Sequence, residues 1–219
     1  MKKKYLFPLA MVFGLSLSSC ASVVNIKQQV ESQSIWQQRQ LQLSNIKDWH
    51  MKGRMVIVNG AELWAMTVDW KQKGEQYIIF LSGPFGAGKV QLAGTTNGVL
   101  LKNSDDQIFY AETPEELLLE HTGVIMPLSY LRFWMLGLPH PKAVNNKAML
   151  DESGRLESLS LASSSQHPWD ISFKRYTSID GVNAVQSKAL LELPDKIFIQ
   201  QGDDIKVRVV VGEWLFDNS

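Results

Sequence analysis

The segment Gly83-Pro84-Phe85-Gly86-Ala87-Gly88-Lys89 fits G-x-x-x-x-G-K, the spacing in which backbone N–H groups cradle phosphates and a lysine meets their charge. Two further requirements fail. Val90 stands where a hydroxyl would hold Mg²⁺, and Lys89-Val90-Gln91-Leu92 reads as a strand where anion binding needs a helix N-terminus. Nucleotide binding is therefore rejected. The glycines instead let a hairpin loop turn where a Cβ would clash, and Phe85 stands at its tip. Either that ring folds back onto its own sheet, or Pro84, Phe85 and Gly86 form an apolar wedge that touches a membrane, with Lys89 near lipid phosphates. The other reactive side chains do not assemble. His50, His121, His140 and His167 are scattered, without metal-ligand spacing. No G-x-S-x-G nucleophile elbow occurs. Asp203-Asp204 reads as a polar turn, and Glu115-Glu116 as helix-capping acids. No catalytic residue, metal site or cofactor is expected, and the chain does not read as an enzyme.

One thiol remains, Cys20, the only cysteine in 219 residues. It closes Leu17-Ser18-Ser19-Cys20 after a basic Lys2-Lys3-Lys4 and an apolar run from Tyr5 to Leu17, the parts of a secretory signal peptide. The run is well short of the roughly 20 residues that cross a bilayer. A small-residue site ending in cysteine resembles the bacterial lipobox, where the cysteine takes the lipid and becomes residue one of the mature chain. An uncleaved anchor, or a signal peptide with a chance cysteine, is the alternative. On the lipobox reading, residues 1–19 are a leader, 20–33 a lipidated N-terminus and flexible tether, and 34–219 a single domain. With Cys20 modified no disulfide can form, so the fold must stand on its core. Loss of the leader removes three lysines and no acids, leaving 19 basic against 22 acidic residues. That balance is no nucleic-acid footprint.

The elements that must hold these residues are mostly strands. Ser34 can cap a helix in which Trp36, Leu43, Ile46 and Lys47 fall near helical spacing, ending around Trp49. From His50 the period becomes two, and Asn59-Gly60 signals a hairpin. Trp64, Met66, Val68 and Trp70 share one face of the next strand. Further strands are predicted at Tyr77–Leu81, Val90–Leu92, Val99–Leu101 and Ile108–Tyr110. Thr113-Pro114-Glu115-Glu116 is a capping box opening a second helix, which Gly123 can end. A third helix spans Leu128 to Leu136, stopped by Gly137 and Pro139. Strands resume at Leu156–Leu161, at Trp169, Ile171 and Phe173, at Leu190–Leu193 and Ile197–Ile199 on either side of Pro194-Asp195, and at Ile205–Val211. The pattern is mainly β with some α: an open, incomplete antiparallel barrel of ten or eleven strands, one mouth covered by about three helices. Seven tryptophans in such a sheet imply an aromatic solid core or an apolar cavity, and the pairs Trp64/Trp70 and Trp169/Phe173 fit both.

Four segments resemble the LolB family of Gram-negative outer-membrane lipoprotein receptors. Trp36-Gln37-Gln38-Arg39 through Asn45 resembles its first helix, Lys52-Gly53 opens its first strand, and Gly83-Pro84-Phe85-Gly86 resembles its protruding loop, usually Asn-Pro-Leu-Gly. Thr122-Gly123, Pro127-Leu128 and Leu131-Arg132-Phe133-Trp134-Met135-Leu136-Gly137-Leu138-Pro139 resemble its second lid helix and ending. Leu193-Pro194 and the strand to Trp214 match near the end. The resemblance implies a helical lid over an apolar cavity, expected to be lined by Trp64, Met66, Trp70, Leu131, Trp134, Met135, Trp169, Ile171 and Phe173. It implies a monomer lipid-anchored in the outer membrane, facing the periplasm. Its partners would be acylated lipoprotein cargo, a soluble LolA-like periplasmic carrier and outer-membrane lipid, and it would insert cargo without nucleotide. Ala21-Ser22 lacks the Asp that retains lipoproteins in the inner membrane of enteric bacteria. The competing readings are a lipidated module for another apolar ligand, such as a free fatty acid, and a structural lipoprotein with a solid core.

Overall fold

Residues that alternate in sequence alternate in burial, and one sheet results. The computed structural model describes residues 20–86, 88–122, 126–143, 147–162, 167–179 and 191–216, with the side chains of 20–29 and of Thr122 outside that description. The leader at 1–19, Ala87, Gly123 and Leu190 lie outside the described residues. Helix α1 (Cys20–Ser44) leads into strand β1 (Asp48–Asn59). β1 pairs with β2 (Glu62–Lys73) from Asp48 opposite Lys73 to Asn59 opposite Glu62. The turn is made by Gly60, whose φ of 58° suits a residue without a Cβ. β3 (Gln76–Ser82), β4 (Val90–Thr95), β5 (Gly98–Lys102) and β6 (Ile108–Ala111) continue the meander. Helices α2 (Pro114–Thr122) and α3 (Leu128–Met135) follow. A second meander, β7 (Lys147–Leu150), β8 (Leu156–Leu161), β9 (Trp169–Ile179), β10 (Leu191–Gln201) and β11 (Ile205–Leu215), completes the chain.

The two meanders join where the first strand pairs the last. The order is β6-β5-β4-β3-β2-β1-β11-β10-β9-β8-β7, an eleven-stranded antiparallel sheet that stays open between edges β6 and β7. At the β1–β11 seam the register slips between Lys52 and Gly53. A Cβ at Gly53 would sit 2.4 Å from the Val210 carbonyl oxygen, so only glycine lets the strands approach there.

The helix ends follow local chemistry. The Glu116 amide donates to Thr113 Oγ1 and the Thr113 amide to Glu116 Oε2, both at 3.2 Å, closing the expected capping box. α3 ends in a Schellman motif: the Gly137 amide donates to the Trp134 carbonyl and the Leu138 amide to that of Phe133, with Gly137 at φ 72°. Three predicted boundaries are corrected. α1 runs from Cys20 to Ser44, where a flexible tether to 33 and then a helix to Trp49 are expected. No Gly or Pro interrupts residues 21–44, and the Gln, Glu and Val there are compatible with helix. Trp49 instead belongs to β1, turned into the core. β10 is one strand, not two. Pro194 is accommodated at a register irregularity, and the buried Asp195 pairs with Arg175 Nε at 2.7 Å. β7 lacks a clear sequence signal, since its Lys147, Ala148 and Met149 are all exposed.

The main core lies on the inner face of the second meander and β1, under α1 and α3. Trp36 and Leu43 of α1 and Trp134 and Met135 of α3 pack among Ile171, Leu193, Ile197 and Val209. The inner face of β3–β6 carries only a small separate cluster, Val99 and Ala111 with Leu117 of α2.

Candidate functional site

That imbalance leaves a hollow. A cavity of about 460 Å³ lies between the inner face of β1–β5 and helices α2 and α3. The alternation of β2 sends Trp64, Met66, Val68 and Trp70 into it; Ile79, Leu81, Val90 and Leu92 extend the wall; Leu117, Leu118, Leu128 and Leu131 form the roof. The sheet therefore divides into a solid half and a hollow half. An aromatic chain marks the border: Trp49 lies 5.5 Å from Trp214 and 5.1 Å from Trp70, and Trp70 lies 6.4 Å from Tyr77.

Of the residues expected to line a cavity, Trp64, Met66, Trp70 and Leu131 stand in its wall. Trp134, Met135, Trp169, Ile171 and Phe173 do not; they are fully buried in the solid core. The correction has a physical cause. β9 alternates as β2 does, but α1 and the Trp134 side of α3 already fill the space over β9. Sequence reasoning missed the walls given by β3, β4 and β5, although the odd-numbered apolar residues Tyr77, Ile79 and Leu81 carried that signal.

Polar groups gather at one end of the cavity. Arg132 Nη1 of α3 meets Glu75 Oε2, in the β2–β3 turn, at 2.7 Å. His140 stacks on Tyr130 at 3.9 Å and meets the edge of Phe133 at 4.8 Å. Burial and the neighbouring Arg132 charge hold the His140 pKa below its usual range. Buried Gln72 is satisfied, accepting from Trp70 Nε1 at 3.0 Å and donating to the carbonyls of Gly74 and Gln76. Burial pushes the Tyr77 phenol up to about 12. A second hollow of about 500 Å³ lies behind this polar cluster, under the end of α1 and residues 136–143.

The opposite end carries the loop between β3 and β4. Leu81 and Val90, its inner flanking residues, still line the cavity. Beyond them Pro84–Gly86 forms a 3-10 turn, closed by the Gly86 amide donating to the Gly83 carbonyl at 3.1 Å. Phe85 sits at φ 56°, ψ 22°, a conformation that costs a non-glycine residue about 1–2 kcal/mol. Its ring is fully exposed. Pro84, Gly86 and Lys89 are exposed beside it. The segment after Lys89 is β4, not a helix. The Cys20 backbone opens α1.

Comparison with known proteins fits this architecture. The family model for the outer membrane lipoprotein LolB matches residues 47–214. An outer-membrane lipoprotein LolB of Nitrosococcus oceani is 33% identical over 198 residues, covering 90% of this chain and 91% of the relative. One from Halorhodospira halophila is 31% identical, covering 92% and 90%. Among solved structures, a LolA superfamily protein from Nitrosomonas europaea superposes with a TM-score of 0.50 at 11% identity, covering 86% of this chain and 94% of that one. A DUF1329 family protein from Desulfovibrio piger gives 0.50 at 7% identity, covering 87% and 93%. At such identities these two show a shared fold alone. By the family match and the curated relatives, the chain belongs to the LolB family of outer-membrane lipoproteins.

Proposed function

We propose that this protein receives the acyl chains of lipoproteins from a soluble periplasmic carrier in the cavity under α2 and α3, and releases them to the outer membrane at the Phe85 loop. As a LolB-family member it is an outer-membrane lipoprotein facing the periplasm, serves lipoprotein localisation and is not an enzyme. The observation that carries the finer reading is a junction. The apolar cavity runs to Leu81 and Val90, and the loop they flank ends in a fully exposed phenylalanine.

The physical logic needs no nucleotide. Each acyl CH₂ moved from water into an apolar site gains about 0.8 kcal/mol, and cavity and bilayer both supply that gain. Direction follows if cargo binds this protein better than the carrier, and the membrane better still. Adaptable Met55 and Met66 in the wall suit chains of varied shape. On this reading residues 1–19 are removed, Cys20 takes the lipid, residues 20–33 space the body from the bilayer, and residues 34–219 act as a monomer.

Phe85→Glu tests the loop. The variant should fold and take cargo from the carrier yet fail to deliver it to vesicles. Normal delivery would refute the loop's role. Tight uptake of free fatty acid with no response to carrier-bound lipoprotein would refute the cargo assignment.

A further inference from the structure

The outer face of β3–β6 is unusual for a solvated sheet face, which ordinarily alternates to polar residues. Strand register places Ile78, Ala93, Leu100 and Tyr110 in one row, and Phe80, Gln91, Lys102 and Ile108 in the next. Ile108 and Tyr110 are 65% and 60% exposed, and Ile78, Phe80 and Leu100 are exposed as well. Ile78, Phe80 and Leu100 belong to strands whose alternate residues, such as Ile79 and Leu101, already face the cavity, and Ile108 and Tyr110 flank Phe109, which packs against the Leu117 cluster. The patch is therefore not misplaced core, and contiguous exposed apolar area of this kind marks an interaction surface.

The geometry points to this face as the surface that lies on the bilayer, so that the protein rests with its β3–β6 strands along the membrane rather than standing on the Phe85 tip. The inference rests on reading the Phe85 loop as a membrane contact. Three observations select lipid as the occupant. First, the patch is continuous in the chain with that loop, since Phe80 lies on β3 just before it. Second, Lys102, the charged residue of these two rows, meets Asp106 at 2.7 Å, so the rows offer a partner apolar side chains rather than an unmatched charge, which suits a lipid surface.

Third, the lipid anchor leaves from the opposite strand ends. The Ser32 carbonyl and Ile35 of α1 lie against Gly154, in the β7–β8 turn, whereas the Phe85 loop joins β3 to β4 at the other end. A strand of 12 residues such as β1 spans ~40 Å. Residues 20–31 as helix span only ~18 Å. An upright, tip-first pose would hold that strand end farther from the bilayer than residues 20–31 can span; a pose along the membrane lowers it toward the bilayer.

The test uses the lipidated mature protein in vesicles of phosphatidylethanolamine and phosphatidylglycerol. Lipidation consumes Cys20, so an introduced cysteine is the sole thiol for an environment-sensitive dye. Dyes at Leu100→Cys and Ile108→Cys should be quenched by lipid-borne nitroxide and shielded from aqueous iodide, as at Phe85→Cys, while Lys174→Cys on β9 stays wet. If position 85 is shielded and positions 100 and 108 are as wet as 174, the landing face is overturned and the loop reading stands. If position 85 is also wet, both fall. Shielding that vanishes on dilution of protein into excess lipid would assign the face to a second copy and overturn the inference. In the Leu100→Glu/Ile108→Glu double variant, vesicle affinity of the Cys20→Ala form should drop about tenfold or more, with uptake from the carrier unchanged. Lost uptake with unchanged vesicle affinity would assign the face to the carrier instead.

Discussion

The division into a solid and a hollow half predicts opposite responses to two truncations with similar chemistry. Ile171 on β9 is 1% exposed and sits in register between Leu159 and Ile199, both buried. Ile171→Ala leaves a void with no space nearby to relax into, and large-to-small changes in such sites cost about 2–5 kcal/mol. Taking about 3 kcal/mol, the melting temperature should fall by roughly 6–12 °C for a chain of this size. Met66 on β2 is only half-buried, and its side chain already faces empty volume. Met66→Ala forfeits fewer contacts and should cost about 1 kcal/mol or less. Binding of a fluorescent diacyl probe should reverse the ranking: about fivefold weaker for Met66→Ala, unchanged for Ile171→Ala. Urea unfolding at constant m-value separates the two effects. The reasoning is refuted if Ile171→Ala weakens the probe as much as Met66→Ala, or if Met66→Ala is the more destabilising.

The seam and the cavity's phenol yield further expectations. Gly53→Ala places a methyl against the Val210 carbonyl at 2.4 Å, where backbone must move, and should cost about 1–3 kcal/mol in urea unfolding. Gly212→Ala, with its nearest backbone atom at 3.7 Å, should cost much less. Tyr77 is held neutral by burial, its folded pKa of about 12 lying above the unfolded value near 10. Its contribution is whole below pH ~10 and is lost as pH rises toward 12, so Tyr77→Phe should flatten the loss of stability in that window; an unaltered alkaline slope would show that the ring is not buried as described.

Much of the fold was legible because its signals are local. Thr113 and Glu116 need only each other to cap α2, and Gly60 needs only its own φ to turn β1 into β2. The fate of each inner face was not legible. Trp64/Trp70 and Trp169/Phe173 alternate identically, and what separates wall from core is where α1 and Trp134 pack, a matter of contacts more than 30 residues apart. β10 shows the same limit: Pro194 reads as a break, yet the irregularity beside it and the Arg175–Asp195 pair absorb it. The exposure of Phe85 depended on its φ of 56°, which sequence does not specify for a non-glycine residue.

The two roof helices are held so differently that one must open first. α3 buries Leu131, Trp134 and Met135, and its Gly137 ending packs on Pro194 of the solid half. Freeing it would dismantle the main core. α2 is held by Leu117 against Val99 and Ala111, by partly buried Leu118, by exposed His121 meeting the Phe109 ring of β6 at 4.2 Å, and by Glu115 Oε1 accepting from the Ser129 amide at 2.7 Å. Exposing Leu117, the fully buried side chain of α2, costs about 1.5–3 kcal/mol and the partly buried or exposed contacts add less, so an α2-open state lies a few kcal/mol above the closed one, within the range of detectably populated minor states. On the proposed function, a long acyl chain would enter by displacing α2 from β5 and β6 rather than by moving α3. Native-state hydrogen exchange reads this directly. The later amides of α2 should exchange through an opening of about 3–4 kcal/mol, while those of α3 approach the global unfolding free energy. Leu117→Ala should lower the α2 value by about 2 kcal/mol and leave α3 untouched. Equal protection of the two helices, or a Leu117→Ala effect shared by both, would show that the roof moves as one piece.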